Sequence, residues 1–423
     1  MLRGLTFLCL IQACASFLPL VSEQQQRHFS TAMHQTADNH HEQLLTYMNH
    51  HPMTTRRDTI GKALKTAAIL TGASSLKPRP SSAEILGSAV PTISLGNSPL
   101  KVSRTIQGYW QLAGGHGKYN KEDAIKNMEA HYNAGITTLD TADIYGPSEQ
   151  IMGNFLKETP DAIVCTKFCC FRYLEEIDMK QVRTRVKDAC QRLQVDKIPL
   201  IQFFWSDYNV KRYIDVALML TSLKDEGLIG EIGATNFDLI RLKQLKDAGV
   251  PIVSNQVQLS CIDQRPVQSG MADWCADNGV GLIAFGTVAS GILSDKYLGR
   301  GAPTQEEKNT ASMRMYSKTV ERFGDWKLFQ ELLETMNDIA KGIRESGRCK
   351  DVTISNIAQR YILDTKSVAA VLVGVRNTNH IDDNIRTHSF RLTDGEIEAI
   401  RSIVAKRSGP KGDVWDIERG TVV

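Results

Sequence analysis

Residues 137–167 read TTLDTADIYGPSEQIMGNFLKETPDAIVCTK, and this stretch decides the fold prediction because it contains one complete structural unit. Residues 137–141 and 162–167 are short runs rich in apolar and β-branched side chains, which is the composition of β-strands. The segment between them is long enough for a helix that crosses back over a sheet. The stretch therefore predicts a strand, a helix and a second strand parallel to the first.

The same alternation continues along most of the chain. Eight candidate strands occur, at residues 104–111, 137–141, 162–167, 200–205, 231–235, 252–257, 281–285 and 369–374. Most are nearly continuous in hydrophobicity, as strands buried on both faces are, and segments of helical periodicity separate them. Eight such units predict an α/β fold, a (β/α)8 TIM barrel, forming a single catalytic domain over residues 92–423.

A doubly wound open sheet is the alternative arrangement of alternating strands and helices. That fold requires a phosphate-binding loop after its first strand, and no such loop follows residues 104–111. The one G-x-G-x-x-A match, at residues 279–284, leads into a strand instead of out of one, so we interpret it as a turn.

The charge distribution separates a leader from the barrel. The chain has 423 residues, a formal net charge of +3 and 42% hydrophobic residues, which is an ordinary globular composition. Residues 1–91 contain 8 Lys and Arg but only 5 Asp and Glu, which leaves 42 of each sign in the other 332 residues. A neutral barrel has no overall charge that would attract nucleic acid or an anionic membrane. We therefore expect neither as a partner.

The first part of residues 1–91 has the features of a signal peptide. An uncharged stretch at residues 4–22 follows Arg3, and Ala13 and Ala15 supply the small side chains of a cleavage site, which predicts a signal peptide at residues 1–16. A transmembrane helix is the alternative, but Gln12 and Pro19 interrupt the apolar run. We expect no stable membrane anchor in the mature protein.

The rest of the leader resembles plastid-targeting sequences. Residues 17–55 are rich in Ser, Thr, Gln and His and poor in acids, and residues 15–19 resemble the cleavage region of precursors imported into plastids of secondary origin. Arg56 and Arg57, followed by a weakly apolar stretch at residues 63–76 and by small residues at 81–83, resemble a twin-arginine signal over residues 56–83. These patterns predict a plastid protein, in the thylakoid lumen if the third signal acts. A plain flexible leader and the secretory pathway are the alternatives.

Three ionisable side chains are expected at one mouth of the barrel, where the strands end. These are Asp140, Tyr145 and Lys167. A Lys167 ammonium beside the Tyr145 phenol would lower the tyrosine pKa from its usual value of about 10, and Asp140 would keep the lysine charged. Tyr145 could then donate a proton to a carbonyl oxygen as a hydride arrives, or remove one in the reverse direction. The alternative is a structural Asp140–Lys167 ion pair with Tyr145 as a packing residue.

Several segments resemble the aldo-keto reductase family, in the same order along the chain. They are residues 138–149, 165–167, 227–237, 255–257, 285–293 and 374–384. The resemblance implies a TIM barrel that binds NADPH without a Rossmann unit and reduces an aldehyde or a ketone. It also implies that Tyr145, Lys167 and Asp140 are catalytic. A small-molecule carbonyl compound is then the expected partner, and the oligomeric state is left open.

The resemblance assigns the cofactor site residue by residue. It implies the following set: Thr235, Asn236, Gln256, Phe285, Gly286, Ser290, Arg376, His380, Asp383 and Asn384. Asn236 and Gln256 would hold the nicotinamide carboxamide, and Phe285 would stack on the ring in place of the family's Tyr. Arg376 and His380 would lie near the adenosine 2′-phosphate, and Asp383 and Asn384 near the adenine. A guanidinium at Arg376 favours NADP over NAD.

One position departs from the family pattern. The fourth predicted strand reads Gln202-Phe203-Phe204-Trp205, and Phe204 stands where the family has a His that donates a hydrogen bond to the substrate carbonyl. Losing such a donor costs a factor on the order of 10²–10³ in rate in other enzymes. The expected substrate pocket contains Trp110, Phe204 and Trp205, which would suit an apolar or aromatic carbonyl compound.

Two alternatives to a working reductase stay open at this point. Phe204 also favours a nicotinamide-binding regulatory or sensing protein with weak or no turnover, and a structural protein on an inherited barrel is a third possibility. No metal site is expected, because no two cysteines form a C-x-x-C pair. The seven cysteines after residue 91 are expected to be reduced, buried thiols.

Overall fold

The computed structural model describes residues 90–421, and these residues form a closed barrel of eight parallel strands. The strands are β3 (Thr105–Gly108), β4 (Thr138–Asp140), β5 (Ile163–Cys170), β6 (Ile198–Trp205), β7 (Ile229–Thr235), β8 (Ile252–Gln258), β9 (Gly281–Phe285) and β10 (Val368–Gly374). They pair in chain order, and β10 closes the barrel against β3. The predicted TIM barrel is confirmed, and every candidate strand coincides with an observed one.

A short hairpin that the sequence analysis missed precedes the barrel. Its strands β1 (Thr92–Ser94) and β2 (Lys101–Ser103) pair antiparallel. The turn between them places Leu95, which is fully buried, among Val253 and Ile283 at the end of the barrel where the strands begin. Gly96 adopts φ +57, and a Cβ there would lie 2.3 Å from the backbone oxygen of Val253. The hairpin therefore fits closely into the barrel floor, opposite the mouth.

Helices surround the barrel and follow its strands. They are α1 (Lys121–Asn133), α2 (Ser148–Glu158), α3 (Met179–Leu193), α4 (Tyr213–Asp225), α5 (Leu239–Asp247), α6 (Arg265–Gln268), α7 (Met271–Asp277), α8 (Ala311–Phe323), α9 (Trp326–Glu345), α10 (Ile354–Leu363), α11 (Ile381–Arg386), α12 (Asp394–Val404) and α13 (Asp416–Arg419). The apolar face of α3, which includes Val182, Val186 and Leu193, is buried in the core, and Asp178 and Gln181 form a capping box at its start. Gly227 follows the last turn of α4 with φ +85, a conformation that favours glycine where a helix ends.

Within residues 90–421 the seven cysteines form no disulfide; six are buried and Cys349 is half-buried. None of the helices in that range is long and apolar enough to cross a membrane. The same residues contain no group of His, Cys, Asp and Glu side chains placed to hold a metal ion. The signal, transit-like and twin-arginine segments predicted at residues 1–16, 17–55 and 56–83 lie outside the described residues.

Candidate active site

The ends of β4 and β5 place Asp140 and Lys167 inside the barrel mouth. Both side chains are buried, and Lys167 Nζ lies 2.5 Å from Asp140 Oδ2 and 2.8 Å from the backbone oxygen of Thr141. Neighbouring parallel strands set this distance, since Asp140 pairs with Cys165, two residues before Lys167. Alternation along β5 then turns Lys167 toward the same interior as Cys165.

A glutamine pair fixes the other oxygen of Asp140. Gln202 Nε2 on β6 and Gln256 Nε2 on β8 donate to Asp140 Oδ1 at 2.8 and 2.7 Å, and Gln256 Nε2 also lies 2.9 Å from Gln202 Oε1. Both carboxylate oxygens are therefore held by donors from three different strands. The resemblance assigned Gln256 to the nicotinamide carboxamide, whereas here its amide nitrogen is committed to Asp140 and Gln202.

Tyr145 lies on the loop after β4, next to the lysine. Lys167 Nζ is 5.1 Å from the centre of the Tyr145 ring. Burial alone would lower the pKa of Lys167, but the charges of Asp140 and Tyr145 outweigh burial and raise it well above its usual value. Lys167 therefore carries a positive charge at any physiological pH. That charge stabilises the phenolate form of a neighbouring tyrosine.

Buried hydrogen bonds hold the loop that carries Tyr145. Thr141 Oγ1 donates to Ser148 Oγ at 2.7 Å, and Thr166 Oγ1 donates to Glu149 Oε1 at 2.6 Å. Arg192 from α3 completes the set with a 2.6 Å contact to Glu149 Oε2. The loop is thus tied to β5 and α3 at its far end, which fixes the position of the phenol.

Phe204 lines the interior beside this group, as expected for a pocket residue. It packs with Ala142 and Cys169 in a small buried cluster against which Tyr145 also lies. The ring of Phe171, from the loop after β5, is half-exposed and lies 5.0 Å from the Phe204 ring. An aromatic surface therefore occupies the place where the family pattern has a polar donor.

Trp205 does not line the pocket, so that prediction was wrong. Successive residues of a strand face opposite sides, and Trp205 points outward from the barrel while Phe204 points inward. Its ring is fully buried against Phe203 and Tyr213, and its indole nitrogen donates to the backbone oxygens of Asp207 and Val210. Trp110 differs again: it is half-buried after β3, with its ring 4.9 Å from His116.

The predicted nicotinamide-binding residues meet at the ends of β7, β8 and β9. Asn236 has a left-handed backbone (φ +57), and its backbone N–H donates to the backbone oxygen of Gln256. Its buried side-chain Oδ1 has no hydrogen-bond partner among the described residues. Thr235 Oγ1 also donates to the Gln256 backbone oxygen, at 3.2 Å. Phe285, half-buried, presents its ring edge-on to Trp415 at 6.4 Å.

Gly286 and Ser290 follow Phe285 under helix α8. Gly286 has φ +78, and a Cβ there would lie 2.7 Å from Cε1 of Tyr316 on that helix. Only glycine fits this position without displacing the tyrosine ring. Ser290, also left-handed at φ +58, shares a 2.9 Å hydroxyl contact with Ser312 at the start of α8. Helix α8 therefore lies against the segment expected to cover the cofactor.

The residues expected at the adenosine end lie on the loop after β10 and on α11. Arg376 and His380 are exposed, and an Arg376 nitrogen lies near Gly117 of the loop after β3. Asn384 is buried. Asp383 Oδ1 is already engaged by Thr353 Oγ1 at 3.2 Å and by an Arg386 nitrogen at 3.0 Å. The segment is continuous, so the four side chains come from one stretch of nine residues, 376–384.

Comparisons with known proteins place the chain in a family. The profile described as "Aldo/keto reductase family" matches residues 105–405. The chain belongs to the aldo/keto reductase family. Among similar proteins, a chloroplastic pyridoxal reductase from Arabidopsis thaliana is 24% identical over 342 residues, covering 75% of this chain and 87% of that protein. An L-galactose dehydrogenase from the same plant is 28% identical over 341 residues, covering 75% and 96%. These relatives of the aldo/keto reductase are oxidoreductases.

Solved structures show the same barrel. A glycerol dehydrogenase from Gluconobacter oxydans superposes with a TM-score of 0.62 at 22% identity, covering 76% of this chain and 97% of that one. An aldo-keto reductase from Bacillus halodurans gives 0.57 at 24% identity, covering 74% and 96%. At this level of identity the likeness establishes the fold of the aldo/keto reductase.

The described residues of this aldo/keto reductase fit a nicotinamide. The unpartnered Oδ1 of Asn236 is an acceptor that a carboxamide NH₂ would satisfy, since buried acceptors are normally hydrogen-bonded. Phe285 offers an aromatic surface, which is all that stacking requires. The set is not complete as predicted, because the nitrogen of Gln256 is bonded elsewhere.

Sequence reasoning missed four residues of the aldo/keto reductase site: Gln202, Tyr316, Trp415 and Arg419. Gln202 could have been found, because it shares the inward face of β6 with Phe204. Tyr316 lies on a helix outside the repeating units, and Trp415 and Arg419 lie on residues 409–421, the C-terminal tail. No periodicity links a chain end to strands some 200 positions earlier.

Proposed function

We propose that this chain is an NADPH-dependent carbonyl reductase that converts an aldehyde or a ketone to an alcohol, and reversibly oxidises the alcohol. The observation that carries the proposal is the buried Asp140–Lys167 pair at 2.5 Å, with the ammonium 5.1 Å from the Tyr145 ring centre. NADPH supplies the hydride when bound. A small-molecule carbonyl compound is the proposed partner, and a barrel region without net charge has no overall attraction for a polyanion.

Each residue of the group has a separate task in this scheme. Tyr145 gives its phenolic proton to the carbonyl oxygen and takes it back in the reverse direction. Lys167 stabilises the phenolate that remains, and Asp140 holds Lys167 in place. Gln202 and Gln256 orient Asp140, so the proton donor rests on a network drawn from strands β4, β5, β6 and β8. Arg376 is the group that we propose selects the 2′-phosphate of NADPH over NADH.

Turnover by the purified protein tests this function. We expect NADPH consumption with aromatic aldehydes or quinones, and a loss of at least about 10²-fold in the Tyr145→Phe variant, because general acid catalysis supplies a factor of that size. NADPH should still raise the melting temperature of the variant, since the phenol is not needed for cofactor binding. Equal rates for the two proteins would overturn the catalytic assignment.

A regulatory protein that binds the nicotinamide cofactor without turnover is the second candidate function. It is favoured by one observation: Phe204 replaces a hydrogen-bond donor and lies in the same buried cluster as Tyr145. A Phe204→His variant separates the candidates. Increased turnover would show that the missing donor limits a reductase, whereas tight NADPH binding with no turnover in either protein would favour the regulatory function.

For the leader we propose a plastid address, with the thylakoid lumen as destination if the twin-arginine segment acts. The acid-poor composition of residues 17–55 supports this proposal, and one relative carries the word chloroplastic in its name. Fluorescent fusions of residues 1–91 and of residues 1–55 test it. Plastid fluorescence from both supports the address, and secretion of both contradicts it.

A further inference from the structure

The C-terminal tail of this protein lies across the ends of β6 and β7 and is held by two arginines. Arg265 on α6 is fully buried and donates from all three of its nitrogens to the carboxylates of Asp263 and Glu418. Arg419, on the tail itself, makes the second attachment. The two anchors come from neighbouring tail positions, but they contact different parts of the barrel mouth.

Arg419 makes its contacts through one nitrogen. Its Nη2 donates to the backbone oxygen of Trp205 at 3.0 Å, to Tyr208 Oη at 3.0 Å and to the backbone oxygen of Asn236 at 2.9 Å. The guanidinium also lies 4.1 Å from the centre of the Tyr208 ring. Its Nε and Nη1 are buried with no partner among residues 90–421. Leaving such donors unpaired costs stability, which the fully bonded Arg265 anchor avoids.

Asn236 is the residue of this set that needs support. Its backbone is left-handed, a conformation that asparagine tolerates better than most residues with a Cβ but that still benefits from support by its surroundings. Two bonds enforce it here. The backbone N–H of Asn236 donates to the backbone oxygen of Gln256, and the backbone oxygen of Asn236 accepts from Arg419 Nη2. The unpartnered Oδ1 of Asn236 is the atom available to a carboxamide, so its position depends on both bonds.

We propose that Arg419 is a positioning residue for the nicotinamide: through the Asn236 carbonyl it holds the Asn236 side chain in its cofactor-binding orientation. This inference rests on the proposed function, in which Asn236 binds the carboxamide. The C-terminal tail is then part of the cofactor site, although it is 183 positions away from Asn236 in the chain. Removing Arg419 should weaken binding at the nicotinamide end alone.

A double-mutant cycle on the full chain tests the proposal. NADPH is titrated by fluorescence against wild type, Asn236→Ala, Arg419→Met and the double variant, with the apo melting temperature measured for each. We expect each single variant to raise the Kd by up to about tenfold, the size of one hydrogen bond at the nicotinamide carboxamide. Because Arg419 acts through Asn236, the two effects should not multiply. The Kd of the double variant should lie within about twofold of the larger of the two single-variant Kd values. Independent effects that multiply to about a hundredfold would overturn the proposal.

Two controls distinguish positioning from a general loosening of the tail. Glu418→Gln weakens the Arg265 anchor without touching Asn236, and Arg265 keeps Asp263 as its counter-charge. Its NADPH Kd should stay within about twofold of wild type. Adenosine 2′,5′-bisphosphate lacks the nicotinamide, so its Kd should be unchanged in Arg419→Met. If Glu418→Gln weakens NADPH as much as Arg419→Met does, or if Arg419→Met weakens both ligands equally, Arg419 is only a tail anchor.

The cycle also separates this inference from the function on which it rests. If Asn236→Ala leaves the Kd for NADPH unchanged, the proposed carboxamide contact is wrong and the inference is lost with it. If Asn236→Ala weakens binding but Arg419→Met does not, the cofactor assignment stands and the positioning role of Arg419 alone is wrong.

Discussion

At the scale of single residues, Asp140 holds the buried polar side chains of the site together. Its two oxygens receive Lys167 from one side and the amides of Gln202 and Gln256 from the other. Pairing raises the pKa of Lys167 above the value of about 10.4 that a lysine has in an unfolded chain. The ion pair contributes its full stability at pH values below the unfolded-chain pKa. That contribution is lost as the pH rises through the higher pKa of Lys167 in the folded protein.

Replacing Asp140 by Asn should therefore be strongly destabilising at neutral pH. The variant leaves the Lys167 ammonium buried without a counter-charge, which costs about 3–5 kcal/mol. Urea unfolding at pH 7 measures the loss. Glu398→Gln is the matched control, because its partner Arg401 is largely exposed and such surface pairs contribute less than about 1 kcal/mol. An Asp140→Asn loss no larger than that of the control would contradict the role given to the buried pair.

The residue types of the proposed catalytic group could be predicted from sequence, whereas their hydrogen-bond partners could not. Asp140, Tyr145 and Lys167 follow from strand ends and from the family resemblance. Gln256 shows the limit, because the resemblance assigned it to the cofactor while its nitrogen bonds Asp140. Two amides competing for one carboxylate depend on side-chain torsions, which a strand register does not specify.

At the scale of elements, the end of β9 lies in close contact with helix α8 beside the site. Gly286 has a positive φ, and a Cβ added there would lie 2.7 Å from the Tyr316 ring. Burial raises the pKa of Tyr316 above its usual value, so its hydroxyl stays protonated. Helix α8 can approach the mouth only because position 286 has no side chain.

Substituting Ala for Gly286 should consequently displace α8. We expect a loss of at least about 1 kcal/mol from the positive φ alone, with the steric contact added to it. A Gly286→Ala, Tyr316→Ala double variant removes the clash but keeps the backbone strain. The added loss from Gly286→Ala should therefore be smaller in a Tyr316→Ala background, measured by urea unfolding. Equal losses in both backgrounds would show that Tyr316 is not the obstructing group.

Element positions were predictable where periodicity is strong. All eight barrel strands were found, because each is a short apolar run between helical segments. The hairpin of β1 and β2 was missed because its strands are only three residues long and mix exposed with buried positions. The prediction for Trp205 was wrong because alternation along β6 turns Trp205 outward when Phe204 faces inward.

At the scale of the whole molecule, the barrel floor carries a group that links stability to acid. His388 is buried beside the start of β3, with Nε2 2.8 Å from Thr105 Oγ1. Burial and the charges of Arg360, Arg104 and Arg391 lower its pKa to about 3. Below the pKa of about 6.5 that a histidine has in the unfolded chain, His388 is protonated in the unfolded chain but stays neutral in the folded protein. Stability is thus lost as the pH falls from 6.5 toward 3.

We predict that His388 makes the free energy of unfolding fall as the pH is lowered. This group contributes a loss of up to about 1.4 kcal/mol per pH unit between those limits. His388→Gln keeps a hydrogen-bonding group near Thr105 but has no proton to refuse, so its unfolding free energy should fall less steeply between pH 6.5 and pH 4. Identical slopes for the two proteins would show that carboxylates elsewhere set the acid limit.

The central claim is that Lys167 tunes the Tyr145 phenol for proton transfer, and the pH dependence of alcohol oxidation tests it most directly. Oxidation requires the phenolate, so its rate rises with pH through the apparent pKa of Tyr145. The measurement compares wild type with Lys167→Met under saturating NADP and the same alcohol. We predict an apparent pKa below about 10 in wild type and a clear upward shift in the variant, because the neighbouring positive charge is gone. The same pH profile in both proteins would contradict the account.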